Sequence, residues 1–431
     1  MKYSVLSIAA LVGPALANPA YYWRQYLSRP IHPADAGTIS INNFAPFNVQ
    51  VDVEPQGNQF SIAPGGQRSV PGAPVADVKF NHQVEVSYVS GDQGTFNYVI
   101  NRIGDGFAGC VNVSPDGCGS LTWCSGNPST KPVTCAAGTE LPVTLYWPRY
   151  LIHFADEKGD RFFADIDSTE PVIGAQVNAH RSFEDLKERR NSEIRSIAKL
   201  LPPVPAHDLP IYCVGLNYKS HAKEAKLNVP ANPPVWTKPA AALAGPDETI
   251  AMNRFCASHL PDWEGELCFV TSRECRDLSV EEASSCIMGY TIGNDLSCRF
   301  FQLPEQSGGQ FFYAKAFDRF APVGPVLVHP SVWGKVKKTA RLVTRINGQV
   351  KQDSHMSTDM IYEPARILSW MSQGTTIPAY TIVMTGTPAG VGVFQSPRQF
   401  LKDKDSVEME ITGLGVLKNR IVFEEGQDNM L

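Results

Sequence analysis

What the chain lacks narrows the field first. No long run of lysine or arginine occurs in its 431 residues and the formal net charge is −5, so nucleic acid is not an expected partner. After the N-terminus no apolar segment is long enough to span a bilayer, so a membrane span is not expected. No Cys-x-x-Cys pair occurs among the ten cysteines, which removes the commonest signature of a zinc site. Internal repeats and low-complexity segments are absent too. What remains is an ordinary globular composition, 43% hydrophobic and 19% charged, in a chain too long for one domain; two or three are expected.

The N-terminus has its own character. "MKYSVLSIAALVGPALA" places a lysine, an apolar run and a small-residue site in the order of a secretory signal peptide, predicted over 1–17. A buried strand or helix is the competing reading. From 18 to 148 short alternating segments such as "TISINNF", "VQVDVEP", "VEVSYVS" and "FNYVINR" are separated by Gly, Pro and Asn turns, which predicts an all-β sandwich. Cys110, Cys118, Cys124 and Cys135 crowd into this part and are disulfide candidates, with zinc as the rival. Asn112, in "NVS", is a glycosylation candidate. "GTISINNFAPFNVQVDVEPQGNQFSIAPGGQ" and "CGSLTW" resemble small secreted thaumatin-like antigens of fungi. No catalytic constellation is visible here, so the expected role is a secreted or surface binding domain.

After "LYWPRY" the texture changes. A region over 149–210 reads as a hairpin, Leu151 to Ile166 with its turn at Glu157–Asp160, followed by a helix. "SFEDLKERRNSEIRSIAKLL" has helical spacing at Leu186, Ile194, Ile197 and Leu201, with Ser182 as N-cap. Over 211–425 strands outnumber helices. Ser279 and Glu282 predict a capping box opening a helix that Gly289 closes. Another helix is expected through "DMIYEPARILSWMSQG". The six remaining cysteines (Cys213, Cys256, Cys268, Cys275, Cys286 and Cys298) stand in apolar contexts and read as reduced core residues.

Three carboxylates carry the chemistry. In "DWEGELCFV", read as a strand, Glu264 and Glu266 share one face with Cys268. Asp295, in "GYTIGNDLSCR", stands where a neighbouring strand should begin. Like charges brought that close need a cation, and hard oxygen donors without His or Cys favour Mg²⁺, Mn²⁺ or Ca²⁺. Solvent-facing glutamates on an edge strand are the alternative. In "GLNYKSHAKEA" His221 and Glu224 are three apart, so one helical turn would let the carboxylate orient the imidazole as a base; a surface pair is the bland reading. Lys238 and Lys315 lie among apolar residues and suit a substrate carboxylate, or simply snorkel. "TGTPAGVG", Thr385 to Gly392, is a tight loop whose N–H groups and Thr387 hydroxyl could hold an oxyanion. It lacks the Lys-Ser/Thr of a phosphate-binding loop.

The motifs "YCVGLNYKSHAKEA", "DWEGELCFV", "GYTIGNDLSCRFFQ", "AKAFDRFAPVGP", "NGQVKQDSHMSTDMI" and "TGTPAGVG", in this order, resemble the fumarylacetoacetate hydrolase family in its short acylpyruvase and oxaloacetate decarboxylase branch. The likeness runs from about Tyr150 to Phe423. It implies a β-rich α+β fold of that family's type, and Glu264, Glu266 and Asp295 as ligands of Mg²⁺ or Mn²⁺. It implies His221 and Glu224 as a catalytic dyad and Lys315 and Thr387 as further catalytic groups. Lys238, Arg299 and Gln302 match substrate-binding positions. The implied activity is hydrolysis of an acylpyruvate or decarboxylation of oxaloacetate, small 2-oxo acids, through an enolate that the metal would stabilise. A homodimer through the second part is implied as well. Two positions depart: Pro378-Ala379-Tyr380 replaces Pro-Gly-Asp, and Trp236 replaces Phe or Leu beside Lys238, which can reshape the pocket. The competing expectation is a secreted, non-enzymatic β-domain protein whose second part is inactive or was joined to it by merging two genes. The enzyme part would then belong to the cytoplasm or mitochondrion, against secretion for the whole chain.

Overall fold

The computed structural model describes residues 149–187 and 191–425 without interruption, and between 38 and 146 the strands with a few of the residues that join them. The chain divides into two compact units at Tyr146. The predicted signal segment over 1–17 lies outside the described residues, as does Cys124; the same holds for the side chains of Cys110 and Asn112. Among the described residues no helix is long and apolar enough to cross a membrane.

The first unit is built from the alternating segments. Thr38–Asn43 and Leu141–Tyr146 pair in parallel inside a five-stranded sheet, while Val49–Glu54, Val84–Ser90 and Thr95–Arg102 belong to a six-stranded one. Inward residues of both sheets, among them Ile39, Ile41, Val51, Val86, Phe96 and Val143, form one buried cluster. Cys118 and Cys135 are joined by a disulfide.

The second unit rests on a ten-stranded sheet. Gly265–Thr271 lies near its middle, between Ile287–Asn294 and Ile382–Met384; Ile211–Val214 and Val235–Lys238 follow on one side, Ala321–Val328 and the hairpin on the other. A five-stranded sheet, including Arg341–Ile346, Gln349–His355 and Ser406–Ile411, contributes to the same core. Leu267, Ile292 and Val326 from the large sheet join Leu342, Met409 and Leu417 from the small one in one buried cluster. Gly265 faces this second sheet. A Cβ there would stand 2.4 Å from Thr344 Oγ1, so the residue between the two glutamates has to be glycine for the sheets to approach.

The hairpin forms as expected, Tyr150–Ala155 against Arg161–Asp165, but it is no separate lead-in: Tyr150–Ala155 also pairs with Ala321–Val328 of the main sheet. The predicted long helix is short. Ser182 Oγ accepts from Asp185 N at 3.0 Å and, among the described residues, the helix is Phe183–Lys187. Glu193–Ser196 and Lys199–Leu201 are strands, paired with Gln176–Ala179 and Tyr150–Ala155. Pairing partners remote in sequence override the helical spacing, and Ile194 is left exposed rather than buried. The Ser279/Glu282 capping box is present, opening Val280–Ser285. Gly289 does not close that helix; it lies inside the next strand, where a Cβ would meet Leu327 Cγ at 2.7 Å. The other expected helix is Pro364–Met371.

Candidate active site

The central strand carries its carboxylates into the protein interior. Gly265 pairs with Asn294 and Glu266 with Gly293. Asp295 therefore falls just past the end of the neighbouring strand, not at the start of one, and its N–H donates to Glu264 O at 2.9 Å. This crossing brings Glu264, Glu266 and Asp295 together. One oxygen from each lies within 4.8 Å of the others, and all three residues are buried.

Cations reach two of the three. Lys315 Nζ lies 2.8 Å from Glu264 Oε2 and 2.5 Å from Asp295 Oδ2. Arg299 Nη1 is 2.6 Å from Glu264 Oε1, its Nε is 2.7 Å from Asp262 Oδ2, and Nη1 also donates to Gln302. Lys238, fully buried, pairs with Asp295 Oδ1 and donates to the carbonyl oxygens of Phe320 (2.5 Å) and Leu296 (3.3 Å). Glu266 is different. Gly386 N donates to its Oε2 at 2.7 Å, and Oε1 meets no donor.

The two neighbouring glutamates are consequently driven apart. Burial alone would raise the Glu264 carboxyl, but Lys315 and Arg299, with His221, outweigh it and hold it at about 2. Glu266 is pushed well above the usual range by burial, and by the charges of Asp295 and Glu264. A buried carboxylate oxygen without a donor, facing two more carboxylates, is the environment a hard divalent cation satisfies. The converging ligand atoms are all carboxylate oxygens, with no cysteine or histidine in the group among the described residues. The residues present therefore fit Mg²⁺ or Mn²⁺.

The His221–Glu224 pair sits on its own helix. Lys219–Ala225 puts His221 Nδ1 2.7 Å from Glu224 Oε1, leaving Nε2 without a partner among the described residues. Glu224 Oε2 accepts from Gly390 N at 3.0 Å, and Ser220 Oγ from Ala389 N at 3.1 Å, so the helix is fastened to the loop Thr385–Gly392. In that loop Gly386 has φ +93°, and a Cβ would meet Gly215 O at 2.8 Å; only glycine lets its N–H reach Glu266. The Thr387 hydroxyl was expected at an oxyanion. It instead donates to Gly265 O at 2.8 Å and accepts from Gln352 Nε2 at 2.7 Å, so it fixes the loop against the carboxylate strand.

Gln352 escaped the sequence reading. Its Oε1 accepts from Gly265 N at 2.9 Å and its Nε2 also donates to Pro388 O. The sequence carried no signal for it: Val350, Gln352 and Ser354 share strand parity, and only the register shift opposite Thr344 and Arg345 leaves Val350 exposed while Gln352 and Ser354 are buried. Asp262 was likewise missed; it binds Arg299 and accepts from Gly392 N at 2.7 Å and Val393 N at 3.0 Å.

Comparison with known proteins agrees with this geometry. Residues 210–422 match the family described as fumarylacetoacetate (FAA) hydrolase C-terminal. The chain is 36% identical over 228 residues to the oxaloacetate tautomerase FAHD2A, mitochondrial, of Bos taurus, covering 53% of this chain and 71% of that one. It is 34% identical over 259 residues to the oxaloacetate tautomerase YisK of Bacillus subtilis, covering 58% and 83%. Among solved structures it resembles a 2-hydroxyhepta-2,4-diene-1,7-dioate isomerase from Mycobacterium marinum, with TM-score 0.51 and 32% identity over 64% of this chain and 100% of that one.

Proposed function

The chain belongs to the fumarylacetoacetate hydrolase family, and from that premise we propose that its second unit is a divalent-metal-dependent enzyme that forms and reprotonates the enolate of a small 2-oxo acid. The observation that carries the proposal is the Glu266 Oε1, buried without a donor beside Glu264 and Asp295. Glu264, Glu266 and Asp295 would hold the ion, which supplies Lewis-acid stabilisation of negative charge on the substrate oxygens. Four carboxylates, counting Asp262, face the three cations Lys238, Lys315 and Arg299, one net negative charge when all are ionised. A dication reverses that sign, which favours an anionic substrate.

The chain's own groups divide the remaining work. His221, held in one orientation by Glu224, exchanges a proton through Nε2 with the substrate carbon next to the carbonyl. Lys315, Arg299 and Gln302 orient the substrate carboxylate, whereas Lys238, its ammonium already shared among Asp295, Phe320 O and Leu296 O, positions Asp295. Thr387 is a positioning residue, and the N–H groups of Thr385, Gly386, Ala389, Gly390 and Gly392 are likewise spent on protein acceptors, so the loop acts as a framework for the site. Keto–enol exchange of oxaloacetate uses all these parts and needs no water. Decarboxylation starts from the keto form instead: the bond from C3 to its carboxylate breaks, CO₂ leaves, and the pyruvate enolate left behind takes a proton at C3. Acylpyruvate hydrolysis is the second reading, supported by the free Nε2 of His221, which could instead take a proton from water. The full chain should be stripped of metal, reloaded with Mg²⁺ or Mn²⁺ and given oxaloacetate and acylpyruvates. Enol–keto exchange, CO₂ release and acylpyruvate cleavage are followed in parallel. Absence of metal-dependent turnover in all three overturns the proposal.

For the first unit we keep the role of a secreted binding domain, supported by the Cys118–Cys135 disulfide, while the six free buried cysteines of the second unit support a reducing compartment for the enzyme. The mass of the native protein separates a true two-unit chain from two merged genes.

A further inference from the structure

A cavity of about 470 Å³ in the second unit is lined by Arg161, Lys199, His207 and Arg319, with Glu248 and Asp318. None of these belongs to the metal site. Strand register explains why the first two converge. Arg161 and Lys199 are both paired with Ala155, from opposite sides of Tyr150–Ala155. Directly paired residues point to the same face, so the two cations stand on one face with their Cα atoms about 10 Å apart and only a methyl group between. Neither has an ion-pair partner among the described residues. Arg319, by contrast, is held by Glu248, Nη1 to Oε1 at 2.9 Å. His207 Nε2 lies 3.1 Å from Val204 O, and its ring packs on His153 at 4.8 Å, which closes one side of the cavity with an aromatic wall.

The cavity also borders the segments that hold a site lysine. Its lining residues Ala240, Ala241 and Leu243 follow Lys238 directly in sequence. Arg319 N donates to Ala241 O at 3.1 Å, and the next residue, Phe320, supplies the carbonyl that accepts from Lys238 Nζ. Arg319 and Ala240–Ala242 are thus joined through the backbone to Phe320, one of the groups that clasp Lys238.

We propose that this cavity is an effector site for a small dianion, a phosphate monoester or a dicarboxylate, gripped by Arg161 and Lys199 and coupled to the metal site through Arg319–Phe320. Two unpaired cations at this spacing complement one doubly charged group between them or two carboxylates bridging them. The coupling rests on the catalytic reading above; the binding does not.

Calorimetric titration of the full-length protein, loaded with Mg²⁺, tests it with two probes, inorganic phosphate and succinate. The expected result is saturable binding of at least one probe with Kd at or below about 1 mM. Arg161→Ala and Lys199→Ala, both at exposed positions, should each weaken it about tenfold or more, and Glu266→Ala should leave it intact. The saturating probe should shift the KM for oxaloacetate about fivefold or more in the parent protein and not in the two cavity variants. Phosphate binding alone identifies the monoester class, succinate binding alone the dicarboxylate class. No saturable binding, equal affinity in the cavity variants, or loss in Glu266→Ala overturns the site. Binding that leaves KM unmoved overturns the effector role. Failure of the enzyme reading would leave every binding result readable.

Discussion

Gln352 and Thr387 are joined side chain to side chain, Nε2 to Oγ1 at 2.7 Å, at the point where the small sheet meets the loop over the carboxylate strand. Through Oε1 the same glutamine accepts from Gly265 N, so one amide ties three segments together. Gln352→Leu leaves the buried Gly265 N–H without its acceptor and Thr387 Oγ1 without its donor, and should cost about 1–3 kcal/mol for each group left unpaired. Denaturant unfolding measures the loss. Combined with Thr387→Val the losses should fall short of additive by about 0.5–3 kcal/mol; strict additivity would show that the two side chains do not act as one unit.

Asp295 should be needed both for the metal and for the two lysines it pairs. Asp295→Ala leaves Lys238 and Lys315 buried with one carboxylate fewer, a destabilisation of about 3–5 kcal/mol. Metal binding by calorimetry and metal-dependent turnover should both disappear. Full activity in that variant would sink the assignment of the triad.

His221 is expected to act on the proton and not on the metal. His221→Ala should lower kcat about 10²–10⁴-fold with metal affinity unchanged, and Glu224→Gln should lower it less. If acylpyruvates are cleaved, hydrolysis should suffer more than oxaloacetate decarboxylation, because only hydrolysis needs an activated water. Equal losses in the two reactions count against a water base.

Two buried histidines contribute to the acid response of the second unit. Burial holds His329 at about 3, and burial with the neighbouring His207 charge holds His153 at about 3. Both values lie below the ordinary 6.5, so the unfolded chain binds protons that the folded chain does not. Their contribution to stability is complete above pH 6.5 and falls as pH drops towards 3, by up to about 1.4 kcal/mol per pH unit for each histidine. Urea unfolding at pH 7, 6 and 5 gives the slope. His329→Asn keeps a capping side chain for Pro330–Val336 and should remove one proton from that slope. An unchanged slope in the variant would show that His329 does not set it.

The parts of the site that could be read in advance are those governed by short-range geometry. Two residues apart on a strand means one face, so Glu264 and Glu266 were paired from "DWEGELCFV" alone. Three apart on a helical turn means contact, which paired His221 with Glu224. The Ser279/Glu282 box is equally local. The same local logic failed beyond Lys187, where Glu193–Ser196 and Lys199–Leu201 take strand partners that spacing cannot reveal.

By itself the sequence determined which carboxylates share a strand face and which histidine meets a glutamate, because side-chain direction follows backbone period. Only the tertiary structure decided their charge. Glu264 is served by Arg299 from 35 residues away and by Lys315 from 51, whereas Glu266 receives one N–H from Gly386, 120 residues on, and nothing at its other oxygen. The two glutamates are neighbours of the same chemical type. They differ because electrostatic energy in a buried site depends on which distant groups the fold brings within a few ångströms, and no period in the sequence records that.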